Sequence, residues 1–300
     1  MRHLGTTGRK RVPAKLTMKQ MIGAAGAIIA GGALLVALGG AEAAGAGPRE
    51  VDNSAVTVTL PSPALGVRIV EARSPGRPLV LIDPGHGGQD PGATAVSRDI
   101  SEKQLTLQLA RELRDKLASD GRVRIAMTRE DDRYLTLDQR SALARRLGAS
   151  LYVSLHMDSA PNPLARGASV YSLSDVASDA DAQRLAEAEN SAAAGAGGSD
   201  GSVRAILSDL VLRSQMTSSA NFAERLVRNS QGRLELRPQP HRFANFYVLR
   251  SAGVPAVLFE AGYISNVEDE AMLRSPEHRQ RIVAALARAI EADVAARSVR

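Results

Sequence analysis

The hydrophobic pattern of this chain changes sharply near residue 79. Leu79-Val80-Leu81-Ile82 is a short apolar run that ends in Asp83-Pro84-Gly85, which reads as a buried strand entering a loop. Ser101, with Gln104 three residues later, opens a helix as a capping box does. Leu105, Leu109, Leu113 and Leu117 line one face, and Gly121 ends it. Val123 to Met127 predicts the next strand, Asp138 to Leu147 a helix and Leu151 to Leu155 a strand. Ala168 to Leu173 is a further strand. Strands are expected again at Asn245–Leu249 and Ala256–Phe259. Asn266 starts a short helix, and Ser275-Pro276 starts a last one that runs to about residue 296. Strands alternating with helices predict an α/β domain: a three-layer sandwich with a largely parallel twisted sheet flanked by helices.

The segment 174–242 departs from this rhythm. It is polar, with an Ala-rich helix near 179–190, a Gly/Ser loop over 195–201 and a helix near 203–229. It reads as an insertion in a domain spanning 79–298. Residues 45–78 are rich in Pro, Gly and Ser, with one alternating patch at Val56–Leu60, and fit a linker or a short edge strand.

Composition alters the functional picture at two points. The formal net charge is +6, which invites a nucleic-acid partner. Residues 1–44, however, hold six bases and one acid, so +5 of the +6 lies there. A basic start, the uncharged run Met21–Gly40 and Ala41-Glu42-Ala43-Ala44 together read as an export signal, cleaved or kept as a membrane anchor. The matching pair for a twin-arginine signal would be Lys10-Arg11. With the surplus assigned to export, and with 3% aromatics offering no stacking platform, no nucleic-acid partner is expected. Contact with a membrane is expected only through an uncleaved N-terminal segment.

The second point is the absence of cysteine. It excludes disulfides, thiolate zinc, iron–sulfur clusters and a Cys nucleophile. Any metal must be held by carboxylates and by some of five histidines. In open α/β sheets the site lies beyond the C-terminal ends of the strands. His86, His156 and Glu260 follow three predicted strands, and Glu102 sits in the first turn of the helix after the His86 loop. Two histidines and one carboxylate with a fourth position open make a catalytic zinc set, and a carboxylate that is not a ligand can serve as general base. Glu102 and Glu260 are both available, so one can bind and the other act. Gly85, Gly87 and Gly88 give the His86 loop access to positive φ.

These residues resemble a family signature. The run Val80-Leu81-Ile82-Asp83-Pro84-Gly85-His86-Gly87-Gly88-Gln89-Asp90-Pro91-Gly92-Ala93 resembles that of zinc-dependent N-acetylmuramoyl-L-alanine amidases of the Amidase_3 type. So do Glu102-Lys103, Thr128-Arg129, Ser154–Asp158 and Val257–Asn266, in family order. The resemblance implies that His86, Glu102 and His156 bind Zn2+ and that Glu260 is the catalytic carboxylate. It implies as substrate the amide between the lactyl group of N-acetylmuramic acid and L-Ala of peptidoglycan, in the periplasm, for wall remodelling and daughter-cell separation. Met157 stands where a small residue is usual, which would narrow the site beside His156. The 174–242 segment resembles the insertion of Gram-negative septal amidases, in which a helix blocks the zinc cleft until a partner with a LytM-like domain binds. Asp179–Asn190 is then the candidate helix, with Glu187 and Glu189 as candidate autoinhibitory groups. Two alternatives stay open: a zinc exopeptidase acting on stem peptides, and a non-enzymatic wall-binding module.

Overall fold

The structure, a computed structural model, describes residues 66–191 and 203–298. Among these residues seven strands form one sheet: β1 (Ile69–Val70), β2 (Leu79–Pro84), β3 (Arg124–Met127), β4 (Leu151–Asp158), β5 (Ala168–Leu173), β6 (Leu236–Ala244) and β7 (Ala256–Tyr263). Their spatial order is β1-β3-β2-β4-β7-β5-β6. The pairings β2–β3, β2–β4, β4–β7 and β5–β6 are parallel, while β1–β3 and β5–β7 are antiparallel. Among the described residues seven helices accompany the strands: α1 (Glu102–Asp120), α2 (Leu137–Arg146), α3 (Ala180–Asn190), α4 (Val203–Ser230), α5 (Tyr247–Ser251), α6 (Val267–Arg274) and α7 (Pro276–Ser298).

The two faces of the sheet follow from strand alternation. Val80 and Ile82, Val153 and Leu155, and Val257 and Phe259 point to one side. There they pack with Leu105, Leu109 and Leu113 of α1, Phe222 and Leu226 of α4, and Ile282 and Leu286 of α7. Leu81, Tyr152, Tyr171 and Leu258 point to the other, against α2, α3 and α5. α1 begins as its sequence dictates. Ser101 N donates to Gln104 Oε1 at 2.9 Å, and Gly121 closes the helix in the left-handed region.

One expectation fails. Asn245–Leu249 is not a strand; α5 occupies most of it, and the strand lies just before, at Leu236–Ala244. Phe246, Val248, Leu249 and Ala252 bury one side of a helical turn, a spacing that also resembles alternation over so short a run. The strand escaped notice because Pro238 and Pro240 interrupt it. As the last strand of the sheet, β6 tolerates them where a central strand would not. Within 174–242, the second half of α4 contributes Phe222, Ala223 and Leu226 to the core and β6 joins the sheet. The patch Val56–Leu60 and the apolar run Met21–Gly40 lie outside the described residues; the short edge strand β1 lies at Ile69–Val70. Among the described residues no helix is long and apolar enough to cross a membrane.

Candidate metal centre

The C-terminal ends of β2, β4 and β7 meet at one place, and the polar side chains gather there on the α2/α3/α5 face. His156 and Glu260 are register partners across β4–β7. His86 follows β2, and α1 delivers Glu102 from the opposite layer at its first residue.

Glu102 is buried and held from two sides. Oε1 accepts from Met157 N at 2.9 Å and Oε2 from Ala93 N at 3.0 Å. Oε1 lies 3.1 Å from His156 Nδ1, and Oε2 lies 3.0 Å from His86 Nε2. The fourth group comes from α3: Glu189 Oε1 is 3.8 Å from His86 Nε2, and Oε2 is 3.4 Å from His156 Nδ1. His86, His156 and Glu189 each offer one ligand atom within 4.8 Å of the others. For metal bonds of about 2.0–2.2 Å, tetrahedral ligand atoms stand about 3.3–3.6 Å apart. The four separations above bracket that spacing. His86 Nε2 is also buried and, with Glu102 Oε2 3.0 Å away, makes no hydrogen bond of good geometry among the described residues. A buried nitrogen left unsatisfied among anionic oxygens fits a cation site.

The surroundings fix these donors. Asp90 Oδ2 takes the other nitrogen of His86, Nδ1, at 2.9 Å, and its Oδ1 accepts from Gly92 N. This carboxylate–imidazole contact sets the tautomer that turns Nε2 inward. His86 itself has φ 60, an uncommon value for a residue with a side chain. Two buried arginines impose that bend. Arg129 donates to the carbonyls of Pro84 at 3.0 Å and Gly85 at 2.7 Å, and Arg140 to those of Pro84 at 2.8 Å and His86 at 2.6 Å. Arg140 is neutralised by Asp83, 2.7 Å away. Asp83 also accepts from Thr128, Tyr152 and Ser154. Gly85 and Gly92 complete the cradle. A Cβ on Gly85 would overlap the His156 ring, and one on Gly92 would sit 2.6 Å from both Glu102 Oε2 and the His86 ring.

The electrostatics follow from burial. Desolvation alone would lower His86, but Glu102 and Asp90 outweigh it and push its imidazole up to about 11. Burial would raise Glu102, yet the two histidines hold it well below the usual carboxylate range. Glu260 is the opposite case. It is fully buried, neither oxygen has a hydrogen-bond partner among the described residues, and burial with nearby Asp158, Glu102 and Glu189 lifts its carboxyl well above the ordinary value. Burial likewise raises Asp158, to about 6. Such an array, two imidazoles and a carboxylate on one point with a second carboxylate beside it, suits metal-assisted hydrolysis.

Residues 80–292 match the family model described as N-acetylmuramoyl-L-alanine amidase, Amidase_3. The chain belongs to this family of amidases. It is 36% identical over 224 residues to the N-acetylmuramoyl-L-alanine amidase AmiA of Escherichia coli K12, covering 73% of this chain and 76% of that one. It is also 36% identical over 211 residues to the probable amidase AmiB of Haemophilus influenzae, covering 68% of this chain and about half, 49%, of that relative. The structure of the amidase AmiC2 of Nostoc punctiforme superposes with a TM-score of 0.52 at 27% identity, over 72% of this chain and 96% of that one.

Of the amidase residues expected from the sequence, the structure brings together His86, Glu102, His156 and Glu189, with Glu260 one strand from His156. Glu187 is not among them. It is exposed and accepts from Gln183 at 2.9 Å, one helical turn away. Met157 does not narrow the site, because its side chain is buried in the core on the other face of the sheet. Asp90, Asp83 and Arg140 were missed as supports. Asp90 carried a signal, four residues after His86 in the same glycine-rich block. Arg140 carried none, since it reads as an ordinary helix-surface arginine.

Proposed function

We propose that the chain is a zinc-dependent amidase that cleaves the bond between the lactyl group of N-acetylmuramic acid and L-Ala of peptidoglycan. On this reading it acts outside the cytoplasm in wall remodelling and cell separation. The observation that carries it is the placement of His86 Nε2 and His156 Nδ1 against the two oxygens of the buried Glu102 carboxylate, 3.0 and 3.1 Å away, with the unpartnered carboxylate of Glu260 one strand from His156. His86, His156 and Glu102 would hold the ion. Bound zinc supplies Lewis acidity for the scissile carbonyl and for the attacking water. Glu260 accepts the proton of that water and delivers it to the departing amine, a role open to a carboxylate whose oxygens have no other partner among the described residues. Asp90 keeps His86 in the binding tautomer, and the Arg129–Arg140 clamp holds the loop in place.

Glu189 supports a second element of the reading. Its carboxylate stands where substrate would approach, and α3 is anchored at both ends. Asp179 and Asp181 engage Arg242 and Arg237, while Asn190 donates to Asn245 O and accepts from Tyr247 N, both at 2.7 Å. α3 therefore blocks the centre until an activator, expected to carry a LytM-like domain, draws it away.

The experiment is mass spectrometry of muropeptides after digestion of purified wall by the full chain, with and without chelator, alongside metal analysis. Intact stem peptides with free L-Ala amines, lost on chelation and restored by zinc, are expected. Release of single terminal amino acids would favour the exopeptidase instead.

A further inference from the structure

Two arginines of β6 lie inside the protein, each paired with an exposed acid at the start of α3. The Arg242 side chain is 4% exposed and its partner Asp179 46%; Arg237 is 15% exposed and Asp181, 3.0 Å away, 49%. Asp179 caps α3, and Asp181 lies in its first turn. Arg237 owes its position to a register shift in β5–β6, between the pairs Ala168–Leu236 and Val170–His241. Such a bulge re-aims a side chain. Here it sets the Arg237 guanidinium 5.4 Å from the Tyr263 ring centroid, with Nη1 3.8 Å from Asp158.

Between these arginines and Glu260 runs a row of polar groups that α3 leaves unanswered. Ser169 is the register partner of Glu260, Tyr171 that of Leu258, and Arg242 stands across from Tyr171. Ser169 Oγ, Tyr171 OH, Arg242 Nε and both Glu260 oxygens are buried without a hydrogen-bond partner among the described residues. Ser169 is 1% and Tyr171 0% exposed. α3 meets this side of the sheet with Ala182, Leu185 and Ala186, which pack in one cluster with Tyr171. Buried polar groups without partners are rare and costly. A row of them under an apolar helix face is a surface made for another occupant.

We propose that this row, ending in Arg237 and Arg242, is the subsite for the acidic peptide on the amine side of the scissile bond. Asp179 and Asp181 of α3 occupy the places of that peptide's carboxylates. The inference rests on the reading of α3 as a removable cover. When α3 leaves, both guanidiniums lose their α3 carboxylates, Arg237 keeping only Asp158 at 3.8 Å, and an incoming carboxylate takes the vacated places. A peptide supplies that carboxylate, and its amide groups satisfy Tyr171 OH and Ser169 Oγ. The saccharide side offers hydroxyl and acetamido groups and no anion. A cleft of about 660 Å³ beside Arg237 and Arg242 leaves room for the peptide's far end.

The test uses the full chain, zinc-loaded, with Glu189→Ala and Asn190→Ala to loosen α3. Arg237→Gln or Arg242→Gln is then added. Wall fragments with free stem-peptide carboxylates are compared with the same fragments after amidation. KM for the acidic fragments rises roughly tenfold to a hundredfold, as loss of a charge-assisted contact requires. kcat stays within about twofold, amidated fragments show no such rise, and Arg242→Lys recovers part of the loss. An unchanged KM, or an equal change for both fragment types, overturns the proposal. Calorimetry of a synthetic L-Ala-led stem peptide, acidic or amidated, on the α3-loosened Glu260→Gln protein reads binding without hydrolysis. Carboxylate-dependent binding that Arg242→Gln removes supports the subsite even if no wall amide is cleaved. Cleavage with carboxylate-independent binding overturns the subsite alone.

Discussion

His156 and Glu260 face each other in register across two central parallel strands, one imidazole aimed at the proposed metal site and one carboxylate with no partner among the described residues. The sheet itself, rather than a loop, thus sets the distance between a proposed ligand and the proposed base. Glu260→Gln keeps the shape and removes the proton acceptor. Its kcat is expected to fall by about 10²–10⁴-fold with metal content unchanged. Release of stem peptides and metal analysis on the same preparation check both halves.

Asp90 touches His86 on the side away from the proposed metal site. Asp90→Asn should weaken metal affinity by about 10–100-fold, the usual cost of losing an outer carboxylate on a ligating imidazole. Competition with a chelator of known strength measures it. An affinity equal to that of the unaltered protein would remove Asp90 from the centre.

α3 is held by contacts that can be cut separately. Asn190→Ala removes two hydrogen bonds, worth about 1 kcal/mol each, and should raise unaided wall hydrolysis roughly tenfold or more. Glu189→Ala should do the same by freeing the histidines. Glu187→Ala, on the exposed side, should leave the rate as it is. Dye release from labelled wall without any partner protein compares the three.

Asp83 bonds Arg140, Thr128, Tyr152 and Ser154, and these partners hold it at about 2 against the burial that would raise it. A carboxyl lowered on folding stabilises the protein above its unfolded value near 4, and that contribution fades as pH falls through about 2. At pH 7, Asp83→Ala leaves Arg140 buried and unpaired, at a cost of about 3–5 kcal/mol. Urea unfolding at pH 7 and pH 3 should show a deficit that narrows at the lower pH.

The parts legible in the sequence were those written in local pattern. The leucine stripe and caps of α1, the apolar runs of β2, β4 and β7, and the polar residues at their ends could be read directly. β6 could not, because its prolines contradict strand propensity and only its place at the sheet edge permits them. Arg140 was equally hidden. Its role depends on two carbonyls, those of Pro84 and His86, that come within reach only after the β2 loop bends back over α2. Glu187 and Glu189 were indistinguishable until the rotation of α3 about its axis was known.

Gly85 and Gly92 contribute no side-chain donor, no charge and no apolar surface, yet each has a proposed ligand packed where its first side-chain carbon would be. Specification at this centre therefore includes two blanks. Gly85→Ala keeps every ligating atom and still spoils the spacing between them, so a scan confined to ionisable residues would pass over the positions that act as the gauge of the site.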